Sequence, residues 1–253
     1  GCVCRGACAA AGAACALPLR SFAMAGQAHA AFRLLQSGSN VGKVVLRVAP
    51  RGHGGLRGEE AGEHCVTGGT GGLGLLTGRW LAVQRGADGV VLASRSGALD
   101  TRTVEWQSLT QSGAHVRVER CDAAQAAEVR RLALRMRPSS TAVLRGVWHA
   151  AGVLADCLLA AQSAHTLCRS LAPKSHGAWR LHSAAAAAPA MCVLFSSVAA
   201  LLGGAGQANY SAANSVLDAL ATERRRCAQA AASVQWGPWG ELGMAAGGAV
   251  NAR

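Results

Sequence analysis

The sequence predicts an α/β protein with a Rossmann-type doubly wound parallel sheet, and three observations carry that prediction. Short β-type apolar runs alternate with helix-type segments from about residue 62 onward. A glycine cluster stands directly between the first of those runs and the helix after it. The 253 residues suffice for one full domain and part of a second, with an ample buried core.

Taken in order, the apolar residues from Met24 to Gln36 recur at helical spacing, with Gly38 as a C-terminal stop, and Gly42 to Val48 reads as a short strand. Further strands are expected near His64 to Thr67, Val90 to Ser94, His115 to Glu119, Ala142 to His149, Met191 to Ser196 and Ser233 to Trp236. Helices fill the gaps, and right-handed crossovers between parallel strands put them on both faces. Residues 1–16 are a low-complexity segment, 50–60 a glycine- and arginine-rich linker, 61–246 the main domain and 247–253 a tail.

Composition narrows the function classes. The formal charge of +12 comes mostly from scattered arginines, without the basic run interleaved with aromatics that tracks a phosphate backbone, so nucleic acid is not an expected partner. Arg224, Arg225 and Arg226 fall late in a predicted helix, where a solvated face accounts for them. No uninterrupted apolar stretch is long enough to span a bilayer, so a membrane is not expected either. The ten cysteines lack regular spacing and several sit in apolar segments, which points to reduced thiols in a cytoplasmic-type compartment. Cys2, Cys4, Cys8 and Cys15 show neither C-x2-C spacing nor a nearby histidine, so no metal site is expected there. The acid-free, arginine-bearing stretch before Glu59 has the composition of an organelle transit peptide, although residues from Leu17 onward read as folded.

The loop CVTGGTGGLG sets Thr67, Gly68, Gly69, Thr70, Gly71, Gly72, Leu73 and Gly74 between strand and helix. Glycines there allow positive φ and a close backbone approach to a pyrophosphate, while the helix N-terminus offers unpaired N–H groups to the anion. About twenty residues on, where an acidic residue would select NAD, the second strand ends in Ser94, Arg95 and Ser96. A cation flanked by hydroxyls suits a 2′-phosphate, and NADPH is the expected cofactor.

Tyr210, the only tyrosine, lies thirteen positions after Ser197, the serine-tyrosine spacing of short-chain dehydrogenases. The ordered motifs TGGTGGLG, SRSG, CDAA, WHAAG, APKSHGAW, FSSVAALLGGAGQANYSAAN and QWGPWGELGMA resemble the ketoreductase domains of type I polyketide synthases over residues 62–245. That resemblance implies reduction of a β-ketoacyl thioester on an acyl carrier protein to the β-hydroxyacyl thioester, within a multidomain synthase. It implies Tyr210 as proton donor and Ser197 as hydrogen-bond partner of the carbonyl oxygen. Ordinary short-chain dehydrogenases have a lysine four residues after the tyrosine, where this chain has Asn214. The polyketide subfamily exchanges the two, so Lys174 of the APK motif takes the lysine's part.

The same resemblance puts Asp122 near adenine, and His149, Ala150, Ala151 and Gly152 where the backbone passes the nicotinamide ribose. It puts the Trp236 to Trp239 turn, with Pro238, at the nicotinamide amide. Two positions bear on stereochemistry. An LDD motif accompanies D-configured alcohols and here reads Leu154, Ala155, Asp156, whereas the tryptophan that accompanies L products is replaced by Leu202. The D product is therefore expected, with Asp156 as a helix cap the alternative reading. Residues 17–49 resemble the last strand-helix-strand of the medium-chain reductase fold found in enoyl reductase domains, and would be its C-terminal remnant.

Other readings are a fatty acid synthase ketoreductase, a free-standing short-chain reductase, or a non-catalytic Rossmann module. Such a module usually loses the catalytic side chains, and all four are present here. The family also pairs this catalytic half with an upstream structural half and follows it with a substrate lid, neither of which the sequence contains in full.

Overall fold

The computed structural model describes residues 19–39, 41, 43–47, 62–136, 143–185 and 190–239. The expected low-complexity segment, linker and tail lie outside the described residues, as do Gly42, Val48 and Ala142. The chain divides into two compact units, Gly1–Gly55 and Leu56–Arg253.

In the first unit β1 (Leu19–Ala23) leads directly into α1 (Met24–Gln36), and β2 (Lys43–Arg47) returns parallel to β1, pairing Leu19 with Lys43 and Ala23 with Arg47. The helix ends on Ser37, and Gly38 takes the left-handed conformation at φ +65° that terminates it.

The second unit carries β3 (Glu63–Thr67), α2 (Gly72–Arg85), β4 (Gly89–Ser94), α3 (Val104–Thr110), β5 (His115–Arg120), α4 (Ala126–Arg135) and β6 (Leu144–His149). Then come α5 (Ala164–Leu171), a π turn over Ala172–His176, α6 (Gly177–Ala185), β7 (Met191–Ser197), α7 (Ala199–Leu202), α8 (Ala208–Arg226) and β8 (Ala231–Trp236). The six strands form one sheet in the order β5-β4-β3-β6-β7-β8, every pair parallel. This is the doubly wound order, and it reverses direction between β3 and β6.

Successive residues of the inner strands feed opposite cores, which is why those strands read as continuous apolar runs. Cys65, Val91 and Val147 pack with Val129, Leu132 and Leu181 on one face. Val66, Val90 and Leu92 pack with Leu75, Leu81 and Leu109 on the other. Gly78 of α2 lets the helix ride on the sheet, since a Cβ there would stand 2.9 Å from the Leu92 side chain. At the switch point Ala150 N–H donates to the Thr67 carbonyl at 3.0 Å, tying the loops after β3 and β6 together at the carboxyl edge, where ligands of such sheets bind.

Candidate active site

Two cavities open on that edge. The first, about 140 Å³, is lined by Thr67, Gly68, Ser94, Arg95, Asp122, Ala151 and Gly152. The glycine loop turns because Gly68 sits at φ +70°, and a Cβ there would lie 2.8 Å from the Ala150 and Ala151 backbone. Gly69 is equally constrained, with a Cβ 2.6 Å from the Val66 carbonyl. Gly71 and Gly72 are exposed, and α2 starts without any side-chain cap, so its first N–H groups have no side-chain acceptor. A bare backbone cradle ending on an uncapped helix fits a dinucleotide pyrophosphate.

Arg95 is exposed on the rim, and among the described residues no carboxylate pairs with it. The Ser94 and Ser96 hydroxyls shape the turn by accepting from Gly97 N–H at 3.1 Å and Ala98 N–H at 3.1 Å, while retaining a proton each to donate. Asp122 likewise closes its own turn on Ala124 N–H at 2.9 Å with its carboxylate still on the cavity wall. Thr70 is half-buried on the loop, and Gly74 is buried against the Gly68 backbone, a packing position and not a lining one.

The second cavity, about 290 Å³, gathers Lys174, Ser197 and Tyr210 with Leu73, Ala150, Leu154, Phe195, Leu202, Gln207 and the turn of Trp236, Gly237, Pro238 and Trp239. Ser197 ends β7 and Tyr210 begins α8, so the thirteen-residue spacing is what the strand, α7 and the intervening turn consume. An adjoining apolar groove of about 440 Å³ shares Leu73, Phe195, Trp236 and Trp239. Arg79 is its only titratable lining residue, so the chemistry belongs to the smaller cavity.

Tyr210 is buried, which raises its phenol pKa, while the Asn214 and Ser197 side chains beside it pull the other way. The Lys174 Nζ stands 5.3 Å from the Tyr210 ring centroid and donates to the Phe195 carbonyl at 2.8 Å. Burial brings its pKa down to about 8, against the opposing pull of Asp218. Asn214, fully buried one turn after Tyr210, donates from Nδ2 to the Tyr210 carbonyl at 2.8 Å, and its Oδ1 has no partner among the described residues. Lys174 thus reaches the tyrosine from the π turn between α5 and α6, an irregularity frequent at functional sites.

Not every expected residue faces a cavity. The His149 ring is fully buried between Thr67 and the Lys174 backbone, so only its neighbours Ala150 to Gly152 reach the cavity walls. Asp156 caps no helix, since the short 3₁₀ turn Leu159–Ala161 has Leu158 at its N-cap. Its carboxylate instead accepts from Gln207 Nε2 at 3.1 Å, which joins the loop after β6 to the one before Tyr210. Leu202 is 84% exposed at the cleft mouth.

Sequence reasoning missed Phe195, Gln207 and Asn209. Asn209 donates to the Ala155 and Thr166 carbonyls and accepts from Tyr210 N–H at 2.8 Å, which fixes the first turn of α8. Its place beside Tyr210 was the one available signal.

The KR domain family matches residues 62–241. The chain belongs to that family. A phenolphthiocerol/phthiocerol polyketide synthase protein of Mycobacterium tuberculosis is 38% identical over 240 residues, which are 90% of this chain and 11% of that protein. Polyketide synthase GfsB of Streptomyces halstedii is 39% identical over 232 residues, covering 90% of this chain and 4% of GfsB. Among solved structures, an A-type ketoreductase from a modular polyketide synthase superposes with a TM-score of 0.72 at 39% identity, over 81% of this chain and 44% of that one. The KR domain therefore spans a small fraction of its curated relatives, which are large multidomain synthases, and ketoreductases of this kind are oxidoreductases.

Two histidines of this KR domain are held neutral inside it. His64 in β3 and His149 at the end of β6 are each brought down to about 4, chiefly by burial, with Arg145 and Lys174 respectively adding to the effect. A depressed folded value means that the unfolded chain binds more protons between pH 4 and 6.5. Each histidine thus contributes stability that is complete above about pH 6.5 and is lost as pH falls toward 4, about 3 kcal/mol apiece. Thermal unfolding from pH 7 to pH 4 should show Tm falling across that window, and less steeply in His64→Gln. Equal slopes in the two proteins would contradict this.

Proposed function

We propose that this KR domain reduces a β-ketoacyl thioester carried on an acyl carrier protein, using NADPH, to the D-configured β-hydroxyacyl thioester. The observation that carries the reading is the meeting of Lys174, Ser197 and Tyr210 in one cavity beside the glycine cradle. When bound, NADPH supplies the hydride. Negative charge then develops on the ketone oxygen, and a donor must meet it there. Tyr210 gives up its phenolic proton to that oxygen, Ser197 hydrogen-bonds it, and the Lys174 ammonium favours the phenolate left behind. Arg95 pairs with the 2′-phosphate and the uncapped α2 N-terminus with the pyrophosphate.

A multidomain synthase in the cytoplasm is the setting, with residues 17–49 as the end of a neighbouring enoyl reductase domain. The parallel β1-α1-β2 unit supports that placement. The D assignment rests on Asp156, joined to Gln207 on the loop that leads to Tyr210, and on leucine at position 202. Chiral analysis of the alcohol formed from a simple β-ketoacyl thioester tests it. A predominantly D product is expected, and a predominantly L product overturns the stereochemical assignment.

A further inference from the structure

His149 is fully buried and lines neither cavity, and both of its ring nitrogens are engaged. Nδ1 lies 2.7 Å from Thr67 Oγ1 and Nε2 lies 3.0 Å from the Lys174 carbonyl oxygen. A carbonyl can only accept, so the ring proton is on Nε2, and Nδ1 accepts from the Thr67 hydroxyl. The ring therefore connects the last residue of β3, where the glycine loop begins, to the backbone of the lysine beside Tyr210.

The other side of this contact is built to match. Lys174 sits in the π turn Ala172–His176, and Gly177, which follows, is pressed against the imidazole. A Cβ at Gly177 would lie 3.1 Å from His149 Cε1 and 3.0 Å from Ala123 Cβ, tighter than ordinary contact, so any larger residue would push the imidazole or the turn aside by a few tenths of an ångström. Beyond the turn the Lys174 ammonium is anchored on the Phe195 carbonyl at 2.8 Å. One strand end thus holds its backbone and another holds its side-chain tip.

We propose that His149 is a positioning residue that fixes the π turn through the Lys174 carbonyl, and so holds the lysine ammonium over the face of Tyr210. This rests on the reading of Lys174 and Tyr210 given above. The contact is asymmetric, and that supplies the test. An asparagine amide occupies the place of Nδ1 and can keep the Thr67 hydrogen bond alone, whereas a glutamine amide reaches the place of Nε2 and can donate to the Lys174 carbonyl.

His149→Asn should therefore lower kcat about tenfold while NADPH affinity stays within about threefold, and His149→Gln should recover most of the loss. In the alcohol-oxidising direction, which needs the phenolate, the rising limb of the pH profile should move to higher pH in His149→Asn and return in His149→Gln. A merely structural histidine would move neither the limb nor the ranking of the two variants. Equal kcat in Asn and Gln variants, or a loss confined to NADPH affinity, overturns the proposal. A readout free of activity is the ¹⁵N spectrum of the full-length protein, in which the ring signal lost in His149→Gln should be that of a neutral Nε2–H tautomer. An Nδ1–H tautomer overturns the proposal whatever the activity, whereas a wild-type protein without reductase activity would overturn the functional reading instead.

Discussion

Tyr210→Phe is expected to lower kcat for β-ketoacyl thioester reduction by a factor of about 10² to 10⁴ and to leave NADPH affinity nearly unchanged. The substitution removes one oxygen from a buried ring, so the aromatic packing and the Lys174 ammonium over the ring remain. What is lost is the hydroxyl that has the Lys174 ammonium beside it to favour the anion left when the proton goes to the alkoxide, whereas the far less acidic Ser197 hydroxyl can still hydrogen-bond the oxygen. Steady-state kinetics on wild type and variant, with NADPH titrated by fluorescence, separates the two quantities. A variant within about tenfold of wild-type kcat would mean that another group delivers the proton.

The second large effect concerns cofactor choice. Arg95→Ala should weaken NADPH binding by a factor of about 10 to 100 and leave NADH binding almost untouched, because a charge-assisted contact with the 2′-phosphate contributes about 1.5–3 kcal/mol. Arg95 is exposed and shares its cavity with Ser94 and Asp122, so truncation leaves no buried partner stranded. Wild-type protein should prefer NADPH strongly and the variant should lose most of that preference. Equal affinity of the wild type for both cofactors would remove Arg95 from the recognition of the phosphate.

How much of this was legible in the sequence depends on what each residue answers to. The strands of the main sheet fall within a residue or two of the expected runs, because the inner strands, buried on both faces, are nearly continuous apolar runs and the edge strand β5 alternates valine with polar residues. The helix Met24–Gln36 has the expected ends, set by helical periodicity and a left-handed glycine. The meeting of Ser197 and Tyr210 in one cavity was readable for a different reason, since spacing along one strand and one helix sets where the two can meet.

Contacts between distant segments left no such trace. Gln207 with Asp156, His149 with the Lys174 carbonyl, and Gly177 against the His149 ring all join residues of separate elements. In the sequence Gly177 is one of 32 glycines, and nothing local distinguishes it. The local hydrogen bonds of Ser94, Ser96 and Asp122 were equally hidden, because the same short polar side chains serve turns and ligands.

Whether this KR domain reduces a ketone with NADPH is decided by following the hydride itself. The protein is incubated with NADPH carrying deuterium at both C4 positions of the nicotinamide and with a β-ketoacyl thioester, and the product is examined by mass spectrometry and NMR. Stoichiometric NADPH consumption is expected, with a β-hydroxyacyl thioester carrying one deuterium on the β-carbon, a reaction that Tyr210→Phe nearly abolishes. Unconsumed NADPH beside intact β-ketoacyl thioester, under conditions where the protein binds the cofactor, would contradict it.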